Sequence, residues 1–347
     1  MRIVYIYYGN HYLFSTWAKS VGAEERPFVP LWLYDFKRLK NKEASIRNRL
    51  SSAMRKFPTV LQAASLVNSI LVPKADVYIL ENMACATSIY FKNTKKAKVI
   101  LFNGDQFFLD LPNATAARKK IAASLMKKVD GVVSISKLYQ DICKKHLDSP
   151  NKMVYPYADV EKYSKQKADL ESKNIAFLGY LVLLKGIDVL IEAFNELDGY
   201  EKEKLYLIGS KVDDIPQLEA NKDNPDIICT GWCDNPEEYL SKCSIYANPA
   251  RKEAFGINII EAMCMGIVPI VSDNCGAAEI VREVSDKLII PVDKEKLKEK
   301  ITWLNSDQTR KKELSKRCEE VGRKYTKERS VKGFKKAFED LMSEIKK

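Results

Sequence analysis

The sequence predicts an α/β chain built on two parallel sheets, and three observations carry that expectation. Short apolar runs alternate with helical patterns along the whole chain, the signature of parallel strands covered on both faces by helices. There are ten such runs, more than one sheet usually holds. The length of 347 residues also suits two domains better than one.

In the first half the strands are read at 3–8, 76–80, 98–102 and 131–136. Ile-Val-Tyr-Ile-Tyr-Tyr and Lys-Val-Ile-Leu-Phe typify their β-branched and aromatic content. The second half repeats the pattern at 175–178, 205–209, 227–230, 245–248, 268–271 and 288–290. The clearest helix is 186–197, where Ile187, Leu190, Ile191, Phe194 and Leu197 share one face. The polar stretch 159–173, after the Tyr155-Pro156 break, marks the boundary. This gives a first domain at 1–165, a second at 166–328, and a C-terminal helix at 329–347. That helix carries Val331, Phe334, Phe338, Leu341 and Ile345 on one face, which needs a partner surface; crossing back to the first domain would provide one.

Composition narrows the function. Hydrophobic residues make up 46% of the chain, enough for sizeable cores, and no apolar run approaches the roughly 18 residues of a membrane span. The first residues read as a buried strand rather than a leader peptide, and the eight cysteines are scattered, as in a reducing, cytoplasmic compartment. Cys229 and Cys233 lack a second pair and the chain has two histidines, so no zinc site or other metal centre is expected. Asp213-Asp214 reads as a solvated loop.

The charge is unevenly placed. Residues 1–150 hold 24 of the 57 Lys and Arg but only 11 of the 46 Asp and Glu, a net of +13 against −2 for the remainder. Eight basic residues lie in 37–56 against Glu43 alone, preceded by Trp32, Leu33, Tyr34 and Phe36. A second cluster, Arg118-Lys-Lys120 with Lys127-Lys128, flanks an apolar stripe of Ala117, Ile121 and Leu125. Basic residues beside apolar ones suit an anionic membrane surface, on the cytoplasmic side for a chain with this cysteine usage. No nucleic-acid motif accompanies them, so nucleic acid is not an expected partner.

The segment with the most chemistry is Arg251-Lys-Glu253-Ala-Phe255-Gly256-Ile257-Asn-Ile-Ile-Glu261-Ala-Met-Cys-Met-Gly266. It reads as a loop that tightens at Gly256 and enters a helix. Glu253 then lies on the loop and Glu261 on the helix, with free N–H groups of the helix start between them, which favour phosphate. Two carboxylates able to bind hydroxyls around an anion site suit a nucleotide-sugar, which has a sugar at each end of a diphosphate. The segment follows the strand 245–248, and ligands of parallel sheets bind beyond the carboxyl ends of strands, here in the cleft expected between two sheets.

In order along the second half come Phe177-Leu-Gly-Tyr-Leu-Val-Leu-Leu-Lys-Gly, Leu205-Tyr-Leu-Ile-Gly, Thr230-Gly-Trp, the Glu253–Glu261 segment and Gly276-Ala-Ala-Glu279. This succession resembles the retaining GT-B glycosyltransferases of family four, nucleotide-sugar transferases with two Rossmann-like domains facing across a cleft. The resemblance is dense over 170–292 and thinner before it, at Ser134-Ile-Ser136 and Tyr155-Pro-Tyr-Ala-Asp159.

It implies a transfer of hexose to an acceptor hydroxyl with retention of configuration, toward cell-surface glycans or glycolipids, with no cofactor beyond the UDP- or GDP-sugar substrate. Glu253 matches the glutamate beside the transferred sugar, Glu261 the one that holds the ribose, and Lys185 the lysine that neutralises the diphosphate. The backbones of Phe255, Gly256 and Ile257 would add N–H donors, with Gly179, Tyr180 and Gly209 around them; Glu279 would also lie near the donor. The first domain would hold a glycan or lipid-linked acceptor.

Two departures stand out. Tyr180 occupies the place of an arginine, and Asn103-Gly-Asp105-Gln lacks the histidine found beyond that strand in the family, for which His11 or Asp105 would be the substitutes. These departures favour one alternative, a non-catalytic paralogue that binds nucleotide-sugar or a partner transferase; a nucleotide-sugar epimerase of the same fold is a second alternative.

Overall fold

The computed structural model describes residues 1–8, 12–28 and 68–346. His11 and the basic run 37–56, with the aromatic residues ahead of it, lie outside the described residues. The chain forms two compact units. The first comprises Met1–Ser134, Gln140–Val154 and Val331–Lys347; the second comprises Ile135–Tyr139 and Tyr155–Ser330.

The sheet of the first unit contains β1 (Ile3–Tyr7), β2 (Glu24–Pro27), β3 (Val77–Leu80), β4 (Lys98–Asn103), β5 (Gly131–Ser134) and β6 (Asn151–Met153). They lie in the order β2-β1-β3-β4-β5-β6, every pairing parallel. β2 and β6 are absent from the sequence reading. Both are edge strands, and Glu-Glu-Arg-Pro and Asn-Lys-Met carry the charged and proline residues that edges favour over apolar ones. The core gathers Trp17, Phe14, Phe102 and Phe334. Trp17 stacks on Phe334 with ring centroids 5.4 Å apart and planes 4° from parallel, and Phe102 meets Phe334 edge-on at 5.6 Å. The C-terminal helix Lys327–Glu344 thus buries Phe334, Phe338 and Leu341 within the first unit.

The helix Ala116–Met126 corrects one expectation. The larger residues of its apolar stripe face inward: Leu125 is part of the buried core and Ile121 packs against it, while Ala117, Arg118, Lys119 and Lys120 are exposed. This is an ordinary core helix with a solvated basic face.

The second unit contains β7 (Ile175–Leu178), β8 (Leu205–Ile208), β9 (Ile227–Gly231), β10 (Ile245–Asn248), β11 (Val268–Ser272) and β12 (Ile289–Ile290). Their order is β12-β11-β10-β7-β8-β9, again parallel throughout. The chain runs outward from β7 to β9, returns to β10 on the other side of β7, and runs outward again. The order therefore reverses between β7 and β10, and the crevice beyond their carboxyl ends is where such sheets take ligands. Helix Ile187–Asn195 covers the sheet with Ile187, Leu190, Ile191 and Phe194, as its periodicity requires.

The chain enters the second unit at Tyr155, ahead of the polar stretch 159–173. Ala158 N–H bonds Tyr325 O at 3.1 Å, and Ser330 Oγ donates to Tyr155 O at 2.7 Å, tying this entry strand to the unit's own end. Ser136 Oγ donates to Ala254 O at 2.9 Å, which accounts for Ile135–Tyr139 belonging here too.

Candidate functional site

At the reversal point, β7 ends at Leu178-Gly179 and the chain turns through Leu183–Lys185 before its helix. A set of hydrogen bonds fixes that turn. Leu181 N–H donates to Ser210 O at 2.9 Å, and Leu183 N–H to Asp213 Oδ2 at 2.9 Å. Arg251 N–H donates to Leu184 O at 2.8 Å, and the Arg251 guanidinium spans both oxygens of Asp188 at 2.7 Å while reaching Leu183 O at 2.7 Å. Asp213 therefore shapes the turn that carries Lys185. Bidentate pairing of this kind adds geometric definition as well as energy, and it joins the Lys185 turn directly to the Glu253 loop.

That loop is held from its other side. Ser272 Oγ donates to Ala250 O at 2.6 Å, Glu253 N–H to Asn274 O at 3.2 Å, Gly276 N–H to Glu253 O at 3.0 Å, and Ala277 N–H to Phe255 O at 2.8 Å. Gly256 then takes φ +94°, where a Cβ would fall 2.8 Å from Ile259 Cδ1 and 3.3 Å from Glu253 Cγ. Only glycine accepts this backbone cheaply, and it lets the helix Ile257–Cys264 start directly behind Glu253. No side chain caps that start, which leaves its first N–H groups available at the positive end of the helix dipole, and Gly256 and Asn258 there line the crevice.

The resulting cavity holds about 380 Å³ and is lined, among others, by Gly179, Tyr180, Lys185, Gly209, Glu253 and Glu261. Gly256 lines it as well. Gly209 brings β8 close to β7: at its φ of +138° a Cβ would lie 2.0 Å from Gly179 O. Phe255 and Ile257 flank Gly256 but are not among the residues that line the cavity; the Phe255 ring is buried and faces Tyr155 at 6.2 Å. Asp105 belongs to the first unit, where its carboxylate accepts Phe107 N–H at 3.0 Å and starts a short helix. Glu279 accepts Lys137 N–H at 2.9 Å, and burial raises its pKa above the usual carboxylate value. Among the described residues no three His, Cys, Asp or Glu side chains form a metal-binding group.

The charges are concentrated. Lys185 Nζ pairs with Glu253 Oε2, and Phe255 N–H approaches Glu253 Oε1 at 3.4 Å. Burial pulls the Lys185 ammonium below its ordinary value. Desolvation pushes Glu261 up to about 7, partly offset by the Tyr163 hydroxyl and by Lys162. Near neutral pH this carboxyl is divided between its charged and protonated forms.

Lining residues that sequence reading missed include Tyr163, Trp232, Cys233, Asn248 and Asn258. Asn258 Nδ2 donates to Leu178 O at 2.6 Å and braces the end of β7. Asn248, 3% exposed at the end of β10, has an Oδ1 with no hydrogen-bond partner among the described residues. A buried polar atom left this way carries a desolvation cost that a ligand donor would offset. The available signal was a polar residue closing the apolar run Ile245-Tyr-Ala. Trp232 is 73% exposed at the rim, in the Thr230-Gly-Trp element.

Comparison with known proteins accords with this architecture. Residues 159–325 match the family model described as glycosyl transferases group 1. An uncharacterized glycosyltransferase of Methanocaldococcus jannaschii is 29% identical over 170 residues, 48% of this chain and 47% of that protein. The O-antigen biosynthesis glycosyltransferase WclY of Escherichia coli is 26% identical over 33% of this chain and 31% of its own. The matched segments thus span less than half of either relative. Among solved structures, HepE of Anabaena in complex with UDP and glucose aligns over 99% of this chain and 100% of its own, at 15% identity and a TM-score of 0.72. At that identity the likeness concerns the fold: both chains have the two parallel-sheet units of GT-B glycosyltransferases.

Proposed function

Because residues 159–325 belong to the glycosyl transferases group 1 family, we propose that the chain transfers a hexose from a nucleotide-sugar to an acceptor hydroxyl, with retention of configuration, and that the cavity of the second unit binds the donor. The observation that carries this reading is the convergence of Lys185, Glu253, Glu261 and an uncapped helix start on one cavity at the strand-order reversal. Breaking the bond between sugar and diphosphate leaves negative charge on the leaving group. Lys185 and the N–H groups of Gly256 and Ile257 meet that charge with fixed donors, which cost no reorganisation when it develops. In the charged form Glu261 accepts the vicinal ribose hydroxyls, and Glu253 accepts hydroxyls of the transferred sugar.

UDP-sugars are the first donors to test, since HepE was solved with UDP and glucose. Lys185→Ala and Glu253→Ala are expected to lower transfer; unchanged transfer in both variants would refute the assignment. A second reading draws on Tyr180, which is 59% exposed at the cavity and brings no charge. With Lys185 as its single cationic lining residue among the described residues, the cavity would suit a paralogue that binds nucleotide-sugar without turnover, or an epimerase. Binding without turnover would support the first, and conversion of the donor without acceptor the second.

For the acceptor, the O-antigen relative supports a cell-surface glycan, and a lipid-linked form is consistent with a basic first unit. We place peripheral attachment to an anionic membrane, on the cytoplasmic face, on the patch of Ile70, Leu71, Tyr90 and Phe91. These side chains are exposed at 73%, 61%, 37% and 56%, and Ser69 Oγ ties the two stretches together through Ser88 O at 2.9 Å. Lys92, Lys95, Lys96 and Lys98 follow with no acidic residue in 86–98, and Lys128 Nζ reaches Lys92 O at 3.0 Å. Among the described residues no helix is long and apolar enough to cross a membrane. Sedimentation with vesicles tests this; equal binding to neutral and anionic vesicles would refute it.

A further inference from the structure

Lys185, the cation that a diphosphate would need, is engaged by the protein's own carboxylate. Glu253 Oε2 takes Lys185 Nζ, and Glu253 Oε1 lies 3.4 Å from Phe255 N–H. Two anion-binding groups from different loops thus converge on the two oxygens of one side chain. That side chain is itself largely buried, with 13% of its surface exposed, and Lys185 retains 25%. The geometry is that of an internal anion in a phosphate cradle.

The charge of the lining sharpens the point. Among the described residues the cavity presents one cation, Lys185, against Glu253 and Glu261, and Tyr180 adds no charge. A nucleoside diphosphate brings at least two further negative charges into this setting. It must compete with Glu253 for Lys185, and the displaced carboxylate needs other hydrogen-bond donors, because an unpaired buried charge is costly. The hydroxyls of a donor sugar are such donors. A nucleoside diphosphate without sugar offers none at that position.

We propose that Glu253 sets the preference of this site for sugar-bearing nucleotide over free nucleoside diphosphate. On sugar-nucleotide binding Glu253 exchanges Lys185 for sugar hydroxyls while Lys185 turns to the diphosphate. Once the sugar has been transferred, Glu253 loses those hydroxyls, regains Lys185 and weakens the hold on the nucleoside diphosphate product. The inference rests on the donor reading of the cavity and adds to it a means of product release.

The test is calorimetric titration of UDP and UDP-glucose into the full chain and its Glu253→Gln, Glu253→Asp and Lys185→Ala variants, with thermal melting to confirm folding. Glu253→Gln removes the competing charge, so it is expected to bind UDP about tenfold tighter than the unaltered protein, with UDP-glucose gaining less or losing affinity. Glu253→Asp shortens the reach to Lys185 and should move UDP affinity in the same direction. Lys185→Ala should weaken both ligands. UDP affinity that is unchanged or lower in both Glu253 variants, while the unaltered protein binds UDP-glucose, overturns the proposal and leaves the donor reading standing. Absence of binding by the unaltered protein to UDP, GDP and their sugars overturns the donor reading and this proposal with it.

Discussion

The carboxyl edges of the two sheets use their polar groups differently. In the first unit several of these groups bond neighbours within the fold: Glu81, 2% exposed after β3, accepts Tyr8 N–H, Asn103 Nδ2 donates to Ser134 Oγ at 3.0 Å, and Asp105 accepts Phe107 N–H at a helix start. In the second unit Lys185, Glu253, Glu261 and Asn248 converge on a cavity, and the surrounding loops hold them there through backbone bonds. The first arrangement supports a fold. The second keeps charge and hydrogen-bonding capacity directed at a ligand, at a cost that packing and loop clamps offset.

Variants on the two edges should therefore separate. The largest effect is expected for Lys185→Ala, which should lower the turnover number for transfer by about 10²–10³-fold, the usual loss for one preorganised donor at a leaving group; steady-state kinetics with saturating donor would check it. Asn103→Ala should instead act on folding. Removing this buried bond is expected to cost about 1–3 kcal/mol by denaturant unfolding, with donor affinity unchanged; a parallel loss of donor affinity would break the contrast between the edges.

A pH series sharpens it further. Glu261 sits at about 7, raised chiefly by desolvation. Because this folded value lies above the ordinary one, Glu261 favours the folded state at acidic pH, and that contribution is lost as pH rises through about 7. Donor binding runs the other way, since only the charged form accepts both ribose hydroxyls. Affinity should rise several-fold from pH 6 to 8, and Glu261→Gln should flatten the profile in calorimetry. The smallest effect belongs to the first unit's patch: Tyr90→Ser with Phe91→Ser should reduce binding to anionic vesicles a few-fold in sedimentation and leave donor affinity unchanged.

Legibility in the sequence followed the same divide. The second unit's site is built from short loops at strand ends, so Gly256, Glu253 and Glu261 stand in local patterns that physical chemistry can read: a turn, a helix start, a carboxylate on each side; Lys185, a lysine ahead of a helix, was reached only through the family resemblance. Asn248 and Tyr163 reach the same cavity from the end of an apolar strand and from the stretch read as a linker, and tertiary placement alone gives them a role. In the first unit, β2 and β6 escaped because edge strands need no apolar alternation. The helix Ala116–Met126 looked amphipathic toward a membrane because sequence does not say which side of a stripe the core lies on.

The most direct test of the donor cavity is titration of a panel of UDP- and GDP-sugars into the unaltered protein and into Lys185→Ala. The account predicts that at least one nucleotide-sugar binds the unaltered protein and that Lys185→Ala binds it at least tenfold more weakly. Equal affinity of both proteins for the best ligand of the panel would contradict it.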